Sequence, residues 1–268
     1  MLRQIDLCSG VGAGFPLVGI ITGGIQLCGL CEIDQFCCDR LRDRFRGVTI
    51  YPDVRELWLE RGDADIITSS PPCQPFTVEG KRLGSADPRD CIPAVLQQVR
   101  RVQPKFAVIE NVPGLLSAPI IPGDEPGTYF RQMLRELHGS GYDAQWVVVP
   151  TAQYGTLWQG ERLLLVATSR SLELCWERAT PWYDQIRSSC EEIGNYPEKR
   201  GLQPTMARTT VRTAAGVDIA PGVSSGDGIT RARRAALGNC LDNRLAQIAL
   251  RRVLYLNGLI EEGENRKG

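Results

Sequence analysis

Short apolar runs alternate along much of the chain with segments whose apolar residues recur every three or four positions. Gln4-Ile5-Asp6-Leu7-Cys8 reads as a strand, followed by a loop with Gly10, Gly12 and Gly14. Pro16 suits the first turn of a helix, and Gly23-Gly24 would end it. Ile25 to Glu32 predicts a second strand, Val48 to Tyr51 a third, Ile66-Ile67-Thr68 a fourth and Phe106-Ala107-Val108-Ile109 a fifth. Gln35 to Phe45, Val54 to Arg61 and Ile92 to Val102 carry helical periodicity, the last with Val95, Val99 and Val102 suitably spaced. Tyr129 to His138 predicts another helix, and Trp146 to Val149 and Leu163 to Ala167 two further strands. Repeated strand–helix–strand order predicts an α/β domain on a doubly wound, mostly parallel sheet with helices on both faces.

Residues 168–228 break this order. Trp176, Trp182, Tyr183 and Tyr196 are followed by proline and glycine signals with little periodicity, which predicts a small irregular insert. From Arg231 a helical pattern returns, with Leu241, Leu245, Ile248, Ala249, Val253 and Leu254 apolar. The charged end from Glu261 to Gly268 is expected to fray. The expected organisation is a main domain of residues 1–167 plus 229–268, interrupted by the region 168–228.

Composition narrows the class. Of 268 residues, 43% are hydrophobic and 23% charged, which excludes a disordered or low-complexity chain. No apolar run reaches the roughly 18 residues of a membrane helix, and the N-terminus lacks a stretch of signal-peptide length. A cytoplasmic protein with no membrane partner is expected. Ten cysteines in a chain of this size, without an export signal, read as mostly reduced and buried thiols. Cys28 and Cys31 have C-x-x-C spacing, but no second pair accompanies them and His138 is the single histidine, so no metal site is expected. Net charge is zero, yet Lys199 to Arg234 holds seven basic residues against Asp218 and Asp227. That stretch is either a solvated loop or a surface that tracks phosphates.

In sheets of this kind, ligands sit beyond the carboxyl ends of the strands. Those positions hold Ser9-Gly10-Val11-Gly12-Ala13-Gly14, then Glu32, Asp53, Pro71-Pro72-Cys73-Gln74-Pro75-Phe76 and Glu110-Asn111. The glycines let a ligand approach the backbone closely. No Lys-Ser/Thr follows, so this is not a phosphate-binding G-x-x-x-x-G-K loop. Glu32 stands where nucleotide-binding folds place an acid for ribose hydroxyls, and Asp53 is placed to receive an adenine amino group. Together they point to an adenosine-containing cofactor without a pyrophosphate clamp. The alternative is a pair of surface acids at helix starts.

Cys73 lies among Pro71, Pro72 and Pro75, which fix the local backbone. A structural cysteine belongs in an apolar strand or helix, so this setting favours a nucleophile, reactive as its thiolate. A Cys-His hydrolase would have to recruit His138, which shares a helical pattern with Leu134 and Leu137. Glu110 ends an apolar strand, where desolvation raises a carboxyl pKa. A thiolate together with a protonated carboxyl suits attack on an electron-poor heterocycle whose ring becomes transiently anionic.

Five runs carry a resemblance: Asp6-Leu7-Cys8-Ser9-Gly10-Val11-Gly12, Glu32-Ile33-Asp34, Ser70-Pro71-Pro72-Cys73-Gln74-Pro75-Phe76-Thr77, Glu110-Asn111-Val112-Pro113-Gly114-Leu115-Leu116 and Ala236-Leu237-Gly238-Asn239. In this order they resemble the DNA cytosine-5 methyltransferases of the small prokaryotic or phage type. The resemblance covers nearly all the chain outside about 168–228, and the Pro-Pro-Cys-Gln-Pro-Phe and Glu-Asn-Val runs are its specific part. It implies a Rossmann-like fold of the S-adenosylmethionine-dependent methyltransferases, with 168–228 as a small target-recognition region. It implies methyl transfer from S-adenosyl-L-methionine to carbon 5 of cytosine in double-stranded DNA. Cys73 would attack carbon 6 of a flipped base, Glu110 would hold ring nitrogen 3 and the exocyclic amine, and loss of the carbon-5 proton would release Cys73. Asp6, Ser9, Gly10, Gly12, Glu32, Ile33, Asp53, Val54, Pro71 and Asn239 would form the cofactor site. Gln74, Arg208, Arg212 and Arg231 would contact nucleic acid. A monomer or a dimer is expected.

The chain departs from the family in four places. Cys8 stands where the family usually has a Phe near the cofactor. The Gly12-Ala13-Gly14-Phe15 loop is one residue longer than the common form. Trp158-Gln159-Gly160-Glu161-Arg162 keeps only the last Arg of the Gln-x-Arg-x-Arg motif, which leaves Arg162 to contact the cytosine carbonyl or order the loop. Cys240-Leu241-Asp242 replaces a Val-Pro-like turn. Two alternatives stay open. One is a tRNA cytosine-5 methyltransferase, whose Cys-Phe-Thr signature is missing from the target region. The other is a catalytically silent homologue acting as a DNA-binding or regulatory subunit, which retention of Cys73 and Glu110 opposes. A nicotinamide dehydrogenase would explain the glycine loop but not Cys73.

Overall fold

The computed structural model describes residues 1–77, 83–151, 160–174, 176–194 and 241–264. Seven strands form one sheet. They are β1 (Leu2–Leu7), β2 (Ile25–Cys31), β3 (Thr49–Tyr51), β4 (Ile66–Ser69), β5 (Phe106–Asn111), β6 (Tyr142–Pro150) and β7 (Glu161–Ser169). Their spatial order is β3-β2-β1-β4-β5-β7-β6. The first five pair in parallel, and β7 runs antiparallel to both neighbours. A β6–β7 hairpin, in which Thr151 N–H donates to Gly160 O at 2.8 Å, imposes that reversal. Leu163 to Ala167 is buried on both faces and takes the interior place beside β5, while β6 exposes Trp146 and Val148 and forms the edge.

Among the described residues, six α-helices accompany the sheet: α1 (Phe15–Thr22), α2 (Gln35–Arg44), α3 (Ile92–Val102), α4 (Thr128–Gly139), α5 (Trp182–Gly194) and α6 (Asn243–Glu264). On one face, Val95 and Val99 of α3 and Met133 and Leu137 of α4 pack on Ile5, Leu7, Ile67 and Ile109. On the other, Phe15 and Val18 of α1 and Leu245, Ala249 and Val253 of α6 pack on Leu2, Ile66, Val108 and Leu164. Each buried Val or Leu contributes roughly 2 kcal/mol, so the loops at the sheet's carboxyl edge stand on a rigid base.

Two expectations need correction. Val54 to Arg61 is not helical: after a turn at 54–56, residues 57–60 form no regular structure, with Leu57 and Leu59 buried and Trp58 70% exposed. The buried Gln98 amide satisfies its backbone, donating to Leu57 O at 2.9 Å and accepting from Leu59 N–H at 3.3 Å. Within the stretch expected to be irregular, residues 182–194 form α5, because buried Trp182 anchors it to the core. Arg252 fastens the chain entering α5 to α6, donating to Thr180 O and Gln185 Oε1, each at 2.8 Å. α6 continues to Glu264, and residues 265–268 of the charged end lie outside the described residues.

Candidate active site

Strand order reverses between β1 and β4, where the chains leaving these strands part company. A cleft of about 230 Å³ opens there. Gly10, Glu32, Ile33, Asp53 and Val54 line one end, and Pro71, Cys73, Gln74, Glu110 and Arg162 the other. Residues expected at five separate strand ends thus meet in one place.

At the first end, Glu32 Oε2 accepts from Gly10 N–H at 2.6 Å, and Oε1 accepts from Ile33 and Asp34 N–H at 2.9 and 2.8 Å. Burial still raises its pKa above the ordinary carboxylate value, against the pull of those donors. Asp53 accepts three guanidinium bonds and a backbone bond from Arg55, and these hold its pKa low and its carboxylate ionised. Val54 is buried in the wall, whereas Ile33 is 64% exposed and offers the cleft an apolar surface.

Asp6, Ser9 and Gly12 stand behind the wall. Ser9 Oγ donates to Asp6 O at 3.0 Å. The Asp6 side chain closes a buried chain in which Gln4 donates to Thr68 Oγ1 and Thr68 donates to Asp6. Burial pushes Asp6 up to about 7. Gly12 adopts φ +73°, and a methyl group there would overlap Phe45 and Leu41 of the α2 region. It lets the loop pack on α2 rather than facing the cleft.

Cys73 is held from both sides. Asn111 Nδ2 donates to Pro71 O at 3.2 Å before it. After it, Phe76 and Thr77 N–H donate to Cys73 O at 2.9 and 3.1 Å. Phe76 is fully buried, its ring centroid 4.8 Å from that of Tyr129. Glu110 sits at the end of β5, opposite Leu164 of β7, so Arg162, two residues before Leu164, shares its face. Arg162 Nε lies 3.0 Å from Glu110 Oε1. Burial lifts Glu110 to about 7, with Arg162 and a Ser70 hydrogen bond pulling the other way. Burial and the nearby Glu110 charge raise the Cys73 thiol, while Arg162 and Arg89 lower it. A neutral Glu110 therefore favours the Cys73 thiolate, and the two groups act as one acid–nucleophile unit.

Sequence reasoning placed Cys73 and Glu110 at one edge but gave Arg162 a different contact from the Glu110 pair seen here. It missed Ser70, Arg55 and Arg89. Arg89, half-exposed and fixed by Asp87 at 2.9 and 2.7 Å, follows a segment with no distinctive spacing. Asn239, Arg208, Arg212 and Arg231 lie outside the described residues. Cys8, Cys28, Cys31, Cys37, Cys38, Cys73 and Cys91 are free thiols, and among the described residues no His/Cys/Asp/Glu group is arranged to hold a metal ion. No helix among them is long and apolar enough to cross a membrane.

Comparison with known proteins extends this picture. The Type II methyltransferase M.NgoMIV of Neisseria gonorrhoeae is 33% identical over 166 residues, covering 61% of this chain and 51% of its own. M.NaeI of Lentzea aerocolonigenes is 26% identical over 260 residues, 87% of this chain and 57% of its own. The chain thus spans a little over half the length of these curated relatives. The solved structure of the Entamoeba histolytica methyltransferase EhMeth superposes with a TM-score of 0.61 at 12% identity, covering 96% of this chain and 98% of that one, which shows a shared methyltransferase fold. The family model for C-5 cytosine-specific DNA methylase matches residues 2–216, a span that includes Glu32, Asp53, Cys73, Glu110 and Arg162, and the chain belongs to that family.

Proposed function

We propose that the protein transfers a methyl group from S-adenosyl-L-methionine to carbon 5 of cytosine in double-stranded DNA. The observation that carries this reading is the meeting of Cys73 and the Glu110–Arg162 pair with Glu32 and Asp53 in one cleft. The cofactor end suits S-adenosylmethionine. Glu32 supplies a desolvated acceptor for ribose hydroxyls, and Ile33 an apolar surface for a ring. Gly10, at φ +54° with open space where a side chain would stand, leaves room at the backbone. When bound, S-adenosylmethionine supplies the electrophilic methyl group.

The chain's own residues do the rest. The Cys73 thiolate adds to carbon 6 of a cytosine turned out of the duplex. As the ring gains negative charge, neutral Glu110 donates a hydrogen bond to ring nitrogen 3, and Arg162 fixes the position of that carboxyl. Carbon 5 then becomes nucleophilic. After methylation, loss of the carbon-5 proton lets the carbon–sulfur bond break and returns the Cys73 thiolate. A pKa of about 7 keeps a large share of Glu110 protonated near neutrality, where an ordinary carboxyl would be ionised. Arg208, Arg212 and Arg231 would track DNA phosphates, Asn239 would complete the cofactor site, and the protein would work in the cytoplasm.

A duplex carrying 5-fluorocytosine tests the reading. Fluorine on carbon 5 does not leave as a proton, so the thioether should persist and appear on the Cys73 peptide by mass spectrometry. No adduct, or an adduct on another cysteine, overturns the assignment. Activity confined to tRNA transcripts would instead select the RNA alternative.

A further inference from the structure

Phe76 anchors the loop of the nucleophile, and the residue that backs Phe76 lies outside the cleft. The Phe76 N–H donates to Cys73 O at 2.9 Å, and its fully buried ring lies 4.8 Å from that of Tyr129, tilted by 59°. Tyr129 stands in the first turn of α4, is buried, and does not line the cleft. Its N–H donates to Ala118 O at 3.2 Å, in the segment that follows Glu110 and the end of β5. Its hydroxyl donates to Asp90 Oδ2 at 2.6 Å, a length typical of bonds to a charged acceptor. Asp90 Oδ1 in turn accepts from Ile92 N–H at 3.0 Å, at the start of α3. Burial and the Asp90 carboxylate push the Tyr129 pKa up, so the phenol remains a donor. Leucine could fill much of the same space, but it would neither reach Asp90 nor offer Phe76 a ring.

We propose that Tyr129, tied to Asp90, is a positioning residue that sets where the Cys73 sulfur stands relative to Glu110. Two ties then join the nucleophile loop to the chain leaving β5. Before Cys73, Asn111 Nδ2 donates to Pro71 O at 3.2 Å. After Cys73, Tyr129 is bonded to Ala118 and packed on Phe76. Asp90 fixes the phenol against the start of α3, which gives the Phe76 ring a fixed backstop. Addition of a thiolate to carbon 6 while an acid meets ring nitrogen 3 needs both groups in place together, and a misplacement of about 1 Å can cost about 100-fold in rate. Untying Tyr129 lets the loop shift. The sulfur then loses burial, the chief cause of its raised pKa, while Glu110, Arg162 and Arg89, the charged groups that act on it, are all retained. More of the thiol ionises, and small reagents reach it more easily. Attack on DNA and attack on a small reagent therefore move in opposite directions.

This role rests on Cys73 being the nucleophile proposed above, so two reactions of Cys73 are followed, in native protein and in three variants. Tyr129→Phe keeps the ring and removes the tie to Asp90, Tyr129→Leu removes both, and Asp90→Asn keeps an acceptor for the phenol. With S-adenosylmethionine and a 5-fluorocytosine duplex, thioether formation at Cys73 should slow about tenfold in Tyr129→Phe, about 100-fold in Tyr129→Leu and less than about threefold in Asp90→Asn. Alkylation of the Cys73 peptide by iodoacetamide, read by mass spectrometry, should quicken about twofold or more in both Tyr129 variants. S-adenosylmethionine affinity of Tyr129→Phe should match that of native protein. If Tyr129→Leu does not fold, Tyr129→Phe still decides. Native thioether rates in Tyr129→Phe, both reactions slowing together, S-adenosylmethionine affinity falling in step with the thioether rate, or Asp90→Asn as slow as Tyr129→Phe overturns the proposal. Native protein that forms no thioether contradicts the proposed function, while the alkylation rates still decide whether Tyr129 places the Cys73 thiol.

Discussion

Replacing Arg162 with glutamine removes the guanidinium that lies 3.0 Å from Glu110, in a pair only 18% and 9% exposed. In the native protein burial lifts Glu110 to about 7, and Arg162 keeps it from rising further. A neighbouring cation typically depresses a carboxyl by about 1–3 units, so in Arg162→Gln the Glu110 pKa should climb by that amount. No naked charge is left buried near neutrality, because Glu110 keeps its proton instead. Below a pH of about 7, Glu110 is mostly protonated in both folded proteins. There the variant loses hydrogen bonds and packing, roughly 1–3 kcal/mol. At higher pH the folded variant holds one more proton than the folded native protein. The stability gap should then widen by about 1.4 kcal/mol per pH unit until the variant's own Glu110 titrates. The sign is fixed. A carboxyl raised in the folded state contributes stability below its unfolded pKa, lost as pH rises through its folded pKa, and the substitution extends that loss to higher pH. Urea unfolding at steps from about pH 6 to 9 reads the gap directly. A gap independent of pH would refute the claim that the two side chains share one charge-coupled site. In a Glu110→Gln background the widening should vanish.

Four further variants probe other parts of the account. Glu32→Ala removes the acceptor of three backbone N–H groups at the cleft, and S-adenosylmethionine affinity should fall about tenfold to a hundredfold by calorimetry; an unchanged Kd would remove Glu32 from the site. Gly12→Ala drives a methyl group into Phe45 and Leu41 at a positive φ, so the unfolding free energy should drop by about 1–3 kcal/mol, and native-like stability would contradict the packing. Asp6 is raised to about 7, so native stability should decline as pH climbs from the ordinary carboxylate range to that value; Asp6→Asn should flatten the decline by up to about 1.4 kcal/mol per unit, and an unaltered slope would place the titration elsewhere. Alanine at Arg208, Arg212 and Arg231 should reduce the slope of log K for DNA against log salt by up to about 3; an identical slope means these arginines do not meet phosphates.

Much of the scaffold was legible because buried strands are short apolar runs. Phe106 to Ile109 and Leu163 to Ala167 announce themselves that way, and the residues after each strand then map onto a sheet edge. The site was legible for the same reason: Cys73 and Glu110 each follow an apolar strand, and parallel pairing of β4 with β5 brings their ends together. What escaped depends on partners distant in sequence. Leu57 and Leu59 lie outside any helix, their backbone served by Gln98 far along the chain. Insertion of β7 between β5 and β6 follows from which hairpin strand is buried on both faces, which local spacing does not encode. The Arg162–Glu110 pair needs the β5–β7 register.

Incubation with methyl-labelled S-adenosylmethionine and a mixed-sequence DNA duplex, followed by base-resolution mapping, tests the central claim most directly. The account predicts label at carbon 5 of cytosine, in a fixed sequence context, and none from Cys73→Ser protein. Bound S-adenosylmethionine without transfer to any cytosine of the duplex would contradict it.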